Sequence, residues 1–303
     1  MQGILLHMEL RHLRYFIAVA EELHFGRAAA RLCIAQPPLS QQIQQLEREI
    51  GFTLFSRSSR RVELTPAGRV YLEEVRSSMG SLEKAVLNGR RVARGEVGRL
   101  AVGFVGTATF SLLPDVLRRF RNLYPEVELT LRELVSARQV QALRERRIQV
   151  GFARPAILDT PDIVCETVAT ESFVAALPES HRLAQANLIP LAALAEDEFV
   201  LFPRSPKPSY GDLLFKICEE AGFHPNVTQE TAEIQTAISL VAGGMGVTLV
   251  PSSASNVVRH GVVFVELIEP APESDLTVVY RIDDDSPTLK TFLNVVRSVS
   301  HKG

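Results

Sequence analysis

Apolar residues recur at three- and four-residue spacing through the first fifty positions, a pattern typical of short amphipathic helices. A first helix is predicted from about Glu9 to Glu22, and its apolar face contains Leu10, Leu13, Phe16, Ile17 and Ala20. A second is predicted at Gly26 to Leu32. A third begins at Pro37, because proline suits the first turn of a helix, and continues to Gly51. Its inward positions are Leu39, Ile43, Leu46 and Ile50.

The opposite face of the third helix is polar, and it carries Ser40, Gln41, Gln42, Gln44 and Gln45. Two short helices joined by a tight turn, with amide and hydroxyl groups on the second, have the composition of a helix-turn-helix. Glutamine can pair with adenine through two hydrogen bonds, and serine can serve either base. A Gln-rich face that only meets solvent is the alternative interpretation.

The residues after Gly51 predict a β-wing. A strand is expected over Phe52 to Phe55 and a second over Val62 to Leu64, with a basic tip between them. Arg60 or Arg61 at that tip could enter a minor groove or contact a phosphate.

One longer helix is predicted from Pro66, behind the N-cap Thr65, to about Arg94. Apolar and small residues alternate at spacings of three and four along it, at Leu72, Val75, Met79, Leu82, Val86, Gly89 and Ala93. This heptad seam is narrow enough to favour a partner helix and therefore a dimer. Packing of the seam against the rest of the same chain is the alternative.

Beyond residue 95, strand-like and helix-like segments alternate as βαβαβ, and the pattern recurs after residue 197. Two α/β subdomains are therefore predicted. Ligands of such sheets bind at the carboxyl ends of the strands, where loops meet helix N-termini. Three loops in these positions carry polar groups, at residues 106–109, 135–137 and 203–210.

The hydroxyls of Thr107 and Ser136, beside backbone N–H groups at a helix start, would suit a carboxylate ligand. The alternative is that both side chains only cap their helices. Arg154, at the end of the strand-like segment 148–153, could add a cation to the site, or it could form an exposed structural salt bridge.

The net charge of −2 hides an uneven distribution. Residues 1–94 contain 14 Lys and Arg against 9 Asp and Glu, a net +5, which leaves −7 for the rest. A basic head on an acidic body is typical of a nucleic-acid-binding module joined to another domain. The cysteines, Cys33, Cys165 and Cys218, suggest buried apolar positions and neither a disulfide framework nor a metal site. With no long apolar run and no signal peptide, a soluble cytoplasmic protein is expected.

The sequence does not indicate an enzyme. It lacks the GxSxG, HExxH and phosphate-loop motifs, and the glycines at 243–246 precede a strand instead of a helix. A solute-binding protein would explain the acidic body alone, and it would ordinarily need an export signal. A DNA-binding regulator explains both halves of the chain.

The run from Met8 to Gly68 resembles the winged helix-turn-helix of the LysR-type transcriptional regulators. The usual start of that family aligns with Met8, so residues 1–7 are expected to be a leader or to reflect a misassigned start codon. The resemblance places DNA contacts at Gln36, Pro37, Ser40, Gln41 and Arg60, and the polar face and the wing add Gln44 and Arg61. Close relatives often carry Arg where this chain has Gln41.

Four stretches, GFVGTATFSLLP, SARQVQAL, FPRSPKP and VAGGMGVTLVP, resemble regulators of catechol and benzoate degradation that respond to cis,cis-muconate or related acids. The resemblance implies a periplasmic-binding-protein-like effector domain of two subdomains joined by crossing strands. Its effector site would comprise Val105, Gly106, Thr107, Ser136, Arg154, Pro208, Ser209 and Tyr210. Those regulators commonly have Ser at 107, Thr at 136 and Asn-Phe at 209–210. A chlorinated or otherwise substituted muconate is therefore a further candidate.

The predicted organisation is multidomain α+β: a winged helix-turn-helix at 8–65, a linker and dimerisation helix at 66–94 and an effector-binding domain at 95–303. Subdomain I would span about 95–168 and 270–303, and subdomain II about 169–269. Operator DNA, a small-molecule inducer, a second copy through the linker helix, a homotetramer and RNA polymerase are the expected partners. No cofactor, metal or membrane is expected. A regulator of an unrelated pathway is the alternative function.

Overall fold

The computed structural model describes residues 8–57, 61–155, 157, 160–257, 259–268 and 270–300. The chain divides between Arg90 and Arg91 into two compact units. The elements that begin in the first unit are α1 (Leu10–Glu22), α2 (Phe25–Arg31), α3 (Gln36–Ile50), β1 (Phe55–Arg57), β2 (Val62–Leu64) and α4 (Pro66–Ala93).

One apolar core holds the first unit together, and Phe16, Leu39, Ile43, Leu46 and Leu54 are fully buried in it. Phe16 packs against the rings of Phe55 and Tyr71, at centroid distances of 5.6 and 5.4 Å. The carboxylate of Glu47 on α3 accepts the backbone N–H groups of Leu54 and Phe55, at 2.7 and 3.1 Å. These bonds attach the β1–β2 hairpin to α3.

Three local predictions in this unit were wrong by a few residues. Leu10 is 46% exposed, and His12 takes the buried position at 2%. Helix α2 begins one residue earlier than predicted, because Nδ1 of His24 accepts the N–H groups at the helix start, from Gly26 at 3.1 Å and Arg27 at 3.2 Å. The first wing strand begins at Phe55, since Phe52 is 40% exposed and lies outside it.

Helix α4 begins as predicted. Thr65 Oγ1 accepts the Gly68 N–H at 2.8 Å and donates to the Thr53 carbonyl at 2.8 Å. The heptad seam has two parts. Leu72 and Val75 are buried in the core of the first unit, whereas Leu82 and Val86 are 48% and 51% exposed.

The second unit contains the alternating elements that the pattern predicted, followed by strands that it did not resolve. Its helices are α5 (Leu112–Leu123), α6 (Ser136–Arg144), α7 (Tyr210–Glu220), α8 (Ile234–Ala242) and α9 (Pro287–Ser300). Its strands are β3 (Val97–Phe104), β4 (Glu126–Glu133), β5 (Val150–Ala153), β6 (Ile163–Pro178), β7 (Leu188–Ile189), β8 (Glu198–Leu201), β9 (Asn226–Glu230), β10 (Thr248–Pro251), β11 (Val262–Leu267) and β12 (Glu273–Arg281).

The strands form a continuous ladder in the order β4-β3-β5-β12-β6-β11-β7, with β10 also on β6 and with β8 and β9 paired separately. Strands β3, β4 and β5 are parallel to one another. Helix α5 connects β3 to β4 and α6 connects β4 to β5, and these helices are the crossover connections that parallel strands need. The long strand β6 joins two apolar cores: residues 163–172 pair with β12, and residues 173–178 pair with β10 and β11. Two subdomains joined by a crossing strand are therefore present.

The structure also bears on the predictions made for the cysteines and for membrane-spanning segments. Only Cys218 is buried, while Cys33 and Cys165 are exposed, so burial was wrong for two of the three cysteines. Within the described residues, no helix is both long and apolar enough to span a bilayer.

Candidate functional site

The polar face of α3 is presented to solvent at its N-terminal half. Gln36, Pro37, Gln41 and Gln44 are exposed and Ser40 is half-buried. The opposite face of the same helix is buried in the core, so packing fixes which side chains point outward. Two glutamines that were also predicted to point outward are only half exposed.

Gln42 is half-buried, with its Oε1 shielded from solvent. Gln45 is half-buried as well, and its Nε2 donates to Glu49 Oε1 at 2.9 Å. The accessible amides of the proposed DNA-reading surface are thus fewer than the sequence pattern indicated.

Of the two arginines predicted at the tip of the wing, Arg61 lies within the described residues and is exposed. The Arg61 side chain is 82% exposed, and its Nη1 lies 3.7 Å from Glu63 Oε1. Arg60 lies outside the described residues, and its role stays a prediction.

Ion pairs connect the helices behind this surface. Glu21 accepts hydrogen bonds from Arg76 and Arg31, each at 2.7 Å. Both arginines, Arg76 first, lower the pKa of the Glu21 carboxyl. Because Arg76 belongs to α4 and Arg31 to α2, a single carboxylate on α1 links three helices.

In the second unit, the eight residues predicted for effector binding line one cavity of about 240 Å³. They are Val105, Gly106, Thr107, Ser136, Arg154, Pro208, Ser209 and Tyr210. The cavity is formed where the carboxyl ends of β3, β4, β5 and β8 meet the residues before α6, α7 and α8. The structure brings all eight together, and whether they bind a ligand stays a prediction.

The hydroxyls of Thr107 and Ser136 do not cap helices. Thr107 lies inside the short 3-10 helix Gly106–Phe110, is only 6% exposed, and its Oγ1 has no hydrogen-bond partner among the described residues. Ser136 is the first residue of α6, and its Oγ accepts the Arg154 N–H at 3.0 Å. The cap interpretation is therefore wrong for both, and both residues line the cavity.

Ser209 and Tyr210 differ in how their hydroxyls are used. Ser209 Oγ caps α7, since it accepts the Asp212 N–H at 3.1 Å and donates to the Pro203 carbonyl at 2.7 Å. The Tyr210 ring packs edge-on against Phe202, at a centroid distance of 4.9 Å. Its buried hydroxyl has no partner among the described residues, and burial raises its pKa far above that of an ordinary phenol. It is a neutral donor near pH 7.

Arg154 forms a buried salt bridge, so the expectation of an exposed one is wrong. Its side chain is inaccessible to solvent, and its Nη2 lies 2.7 Å from Glu171 Oε1. Its Nη1 donates to the Ser274 carbonyl at 3.2 Å. The charge of the guanidinium is therefore largely neutralised by a carboxylate of the protein.

Two carboxylates of the cavity were missed by the sequence interpretation. Glu133 ends β4, and Glu233 directly precedes α8. Burial, and secondly the hydrogen-bonded neighbour Glu233, raise the pKa of Glu133. The rule that ligand sites lie at the carboxyl ends of strands could have identified Glu133, since it is the last residue of the strand-like segment VELTLRE.

Comparison with known proteins matches both units. The profile of the bacterial regulatory helix-turn-helix protein, lysR family, matches residues 10–69, and that of the LysR substrate binding domain matches residues 93–300. The chain belongs to the LysR family of transcriptional regulators. Its relatives are regulators and not enzymes.

Among the relatives of this LysR-family regulator, AlsR of Bacillus subtilis is 41% identical, with 95% of both chains covered. BenM of Acinetobacter baylyi is 36% identical, with 96% of both chains covered. The two identities differ little, so sequence identity alone does not indicate which relative is the better guide to this chain's effector.

Solved structures confirm the fold. Full-length CbnR complexed with its target DNA has a TM-score of 0.84 and 31% identity, covering 97% of this chain and 100% of that one. The BenM effector binding domain with its effector benzoate has a TM-score of 0.60 and 27% identity, covering 68% of this chain and 93% of that one. This protein is therefore a DNA-binding LysR-family regulator that responds to a small-molecule effector.

Proposed function

We propose that this regulator binds a partly palindromic operator as a dimer joined through α4, and that its effector is a small organic acid of the muconate and benzoate class bound in the cavity. The observation that carries the effector proposal is the convergence of three helix N-termini, those of α6, α7 and α8, on one cavity that also contains an unpartnered buried hydroxyl, Thr107. Helix N-termini present free N–H groups and a positive dipole end, which favour a carboxylate.

The hydroxyl donors supply the specific contacts. Thr107, Ser136 and Tyr210 each carry a hydroxyl for which the described residues provide no acceptor. A buried donor without a partner costs about 1–3 kcal/mol, so a ligand oxygen that accepts from it recovers that free energy. The solved complex of the BenM effector binding domain with benzoate supports an aromatic acid as one candidate.

The exposed part of α4 supports the dimer. Leu82 and Val86 of the predicted seam are each about half exposed, and apolar positions at heptad spacing favour a partner helix. Two recognition helices on one duplex would then require half-sites about one helical turn apart. A tetramer of two such dimers, a contact with RNA polymerase and the domain boundaries at 65/66 and 94/95 belong to the same proposal.

Regulation in this proposal is a two-state shift. The effector favours one arrangement of the two subdomains around the crossing strand β6, and each arrangement fixes a different spacing of the DNA-binding units. The effector can change operator affinity only by its differential affinity for the two states, which is typically about 1–3 kcal/mol.

A thermal-shift screen of the full chain tests the effector class. The panel contains cis,cis-muconate, chloromuconates and benzoate, with acetate, neutral aromatic alcohols and nucleosides as unrelated compounds. A ligand present at 100 times its Kd stabilises the protein by about 2.7 kcal/mol, which is readily measured. Stabilisation by nucleosides or alcohols alone would contradict the proposal.

Selection of binding sites from random duplex DNA tests the operator. We expect partly palindromic sites whose affinity decreases steeply with salt. A Leu82→Glu, Val86→Glu variant should lose dimer formation in analytical ultracentrifugation and bind only half-sites weakly. A dimer that survives these substitutions would place its interface elsewhere.

A further inference from the structure

The mouth of the cavity carries two like charges that face each other. Glu133 comes from the end of β4 and Glu233 from the residue before α8, so they belong to different subdomains, and both are exposed. A Cβ atom built on Gly106 would lie 2.8 Å from Glu133 Oε1 and 3.8 Å from Glu233 Oε2. The two carboxyl groups therefore converge over the same backbone segment, which lacks a side chain at Gly106.

The two carboxyl groups are close enough to affect each other's charge. Such a pair can share a hydrogen bond only if one carboxyl holds a proton, because an ionised carboxylate has no donor. With both groups ionised, the pair places two negative charges at the entrance. The raised pKa of Glu133 agrees with this geometry.

The charged and titratable groups that line the cavity offer the pair little compensation, and Arg204 and Lys207 on the loop 203–210 both pair with Asp212. Of the described residues that line the cavity, Arg154 and Tyr210 are the others that can titrate. Arg154 is neutralised by Glu171, and Tyr210 stays uncharged near pH 7. The adjacent segment Gly106–Phe110 and the strand residue paired with Glu133, Phe104, carry no charge.

The inner end of the cavity has the opposite character. Thr107 is 94% buried and Ser136 is 98% buried. Thr107 Oγ1 has no partner within the described chain, and the starts of α6 and α7 line the same cavity. The cavity therefore presents donors at its inner end and acceptors at its mouth. A ligand that matches both ends accepts hydrogen bonds at one end and donates them at the other.

We propose that Glu133 and Glu233 determine effector specificity: they admit an acid with a single buried carboxylate and a neutral, protonated or cationic outer end, and they disfavour a dianion. The inference rests on the proposed function, because it assumes that the cavity binds an acid. It narrows that proposal to monoanions and zwitterions. A dianion binds well only when the pair is protonated, since placing like charges next to one another is unfavourable.

Titration calorimetry on the full chain tests the pair with three probes: benzoate, a monoanion; cis,cis-muconate, a dianion; and 4-(aminomethyl)benzoate, a zwitterion. The variants are Glu133→Gln, Glu233→Gln and the double variant, which keep the side-chain shape and remove the charge. Glu196→Gln is the matched control, because Glu196 is exposed and does not line the cavity. Circular dichroism melting checks that each variant is folded.

At pH 8 the double variant should bind cis,cis-muconate on the order of tenfold more tightly than the wild type, bind benzoate with little change, and lose affinity for the zwitterion. Lowering the pH towards the raised pKa of Glu133 should increase wild-type affinity for the dianion and leave the double variant nearly unaffected.

Two failures are distinguishable. If the acids bind but the ratio of muconate to benzoate affinity is the same in all proteins, or changes equally in Glu196→Gln, the specificity role is wrong and the acid site remains. If none of the three acids binds the wild type or any variant at either pH, the proposed effector class is wrong and this inference is overturned with it.

Discussion

Polar groups are used differently in the DNA-reading surface and in the effector cavity. On α3, Gln41 and Gln44 are exposed, so water satisfies their amides at little cost. In the cavity, the hydroxyls of Thr107 and Tyr210 are buried and unpartnered among the described residues, which costs free energy until something accepts from them. An unpaired polar group therefore points to a ligand much more strongly when it is buried than when it is exposed.

The N-termini of the helices also differ in whether a side chain already binds their free N–H groups. His24 caps α2 with two bonds and Thr65 caps α4, and both helices serve as scaffold. Helices α3, α6 and α8 have Ala35, Val135 and Glu233 at their N-cap positions, and none of these side chains caps its helix. Helix α5 is also uncapped, so an uncapped start is a supporting observation and not a site by itself.

The largest expected effect concerns Arg154, the cation of the cavity, and tests whether its ion pair with Glu171 stabilises the fold. Glu171→Gln leaves the Arg154 guanidinium buried without its counter-charge, which should lower the free energy of unfolding by about 3–5 kcal/mol. Glu128→Gln is the control, since its pair with Arg99 is largely exposed and should contribute about 0–1 kcal/mol. Urea denaturation measures both, and similar losses would contradict a structural role for Arg154.

The next effect concerns α3. Gln41→Ala and Gln44→Ala should each weaken operator binding by about 1–3 kcal/mol if each amide reads a base, while acid binding is unchanged. Gln45→Ala is the matched control, because that amide is half-buried and bonded to Glu49. Fluorescence anisotropy with the selected operator gives the affinities. An equal loss in Gln45→Ala would mean that the substitutions act on the fold of the helix.

A pair of threonines sharpens the contrast between a cap and a ligand-facing hydroxyl. Thr65→Ala removes the cap of α4 and should cost about 1 kcal/mol of stability without affecting acid binding. Thr107→Val removes an unpartnered hydroxyl at nearly constant volume, so stability should be kept or increased while benzoate affinity decreases. Thermal melts with and without benzoate separate these outcomes. Unchanged affinity in Thr107→Val would exclude that hydroxyl as a ligand contact.

The smallest effect is a pH dependence. Arg76 and Arg31 lower the pKa of Glu21 in the folded state below its ordinary value of 4.5. The ionised group therefore stabilises the protein at pH values above 4.5, and this stabilisation is lost as the pH falls through the lowered pKa. Glu21→Gln should melt slightly below the wild type at pH 7, and the difference should disappear as the pH falls through the lowered pKa of Glu21. Glu83→Gln, at an exposed position of α4, should show no such convergence.

Much of the fold and part of the site could be predicted from local patterns. The start of α4 at Pro66, the alternation of strands and helices after residue 95 and the exposed polar positions of α3 follow from side-chain periodicity and capping chemistry, which act over a few residues. The errors at Leu10, His12 and Phe52 arose because burial at the end of an element depends on what packs against it.

The sequence alone determined the order of the main helices and strands and which loops carry donors, because these properties depend on neighbours along the chain. Only the tertiary structure decided how each donor is used. Ser209 caps α7 and Arg154 pairs with Glu171, whereas the Thr107 hydroxyl in the cavity has no hydrogen-bond partner among the described residues. The carboxyl pair of Glu133 and Glu233, a hundred residues apart in the chain, exists only because the crossing strand β6 brings two subdomains together. Which hydrogen bonds a donor makes depends on residues that are close in space and distant in sequence, so a local sequence pattern cannot predict them.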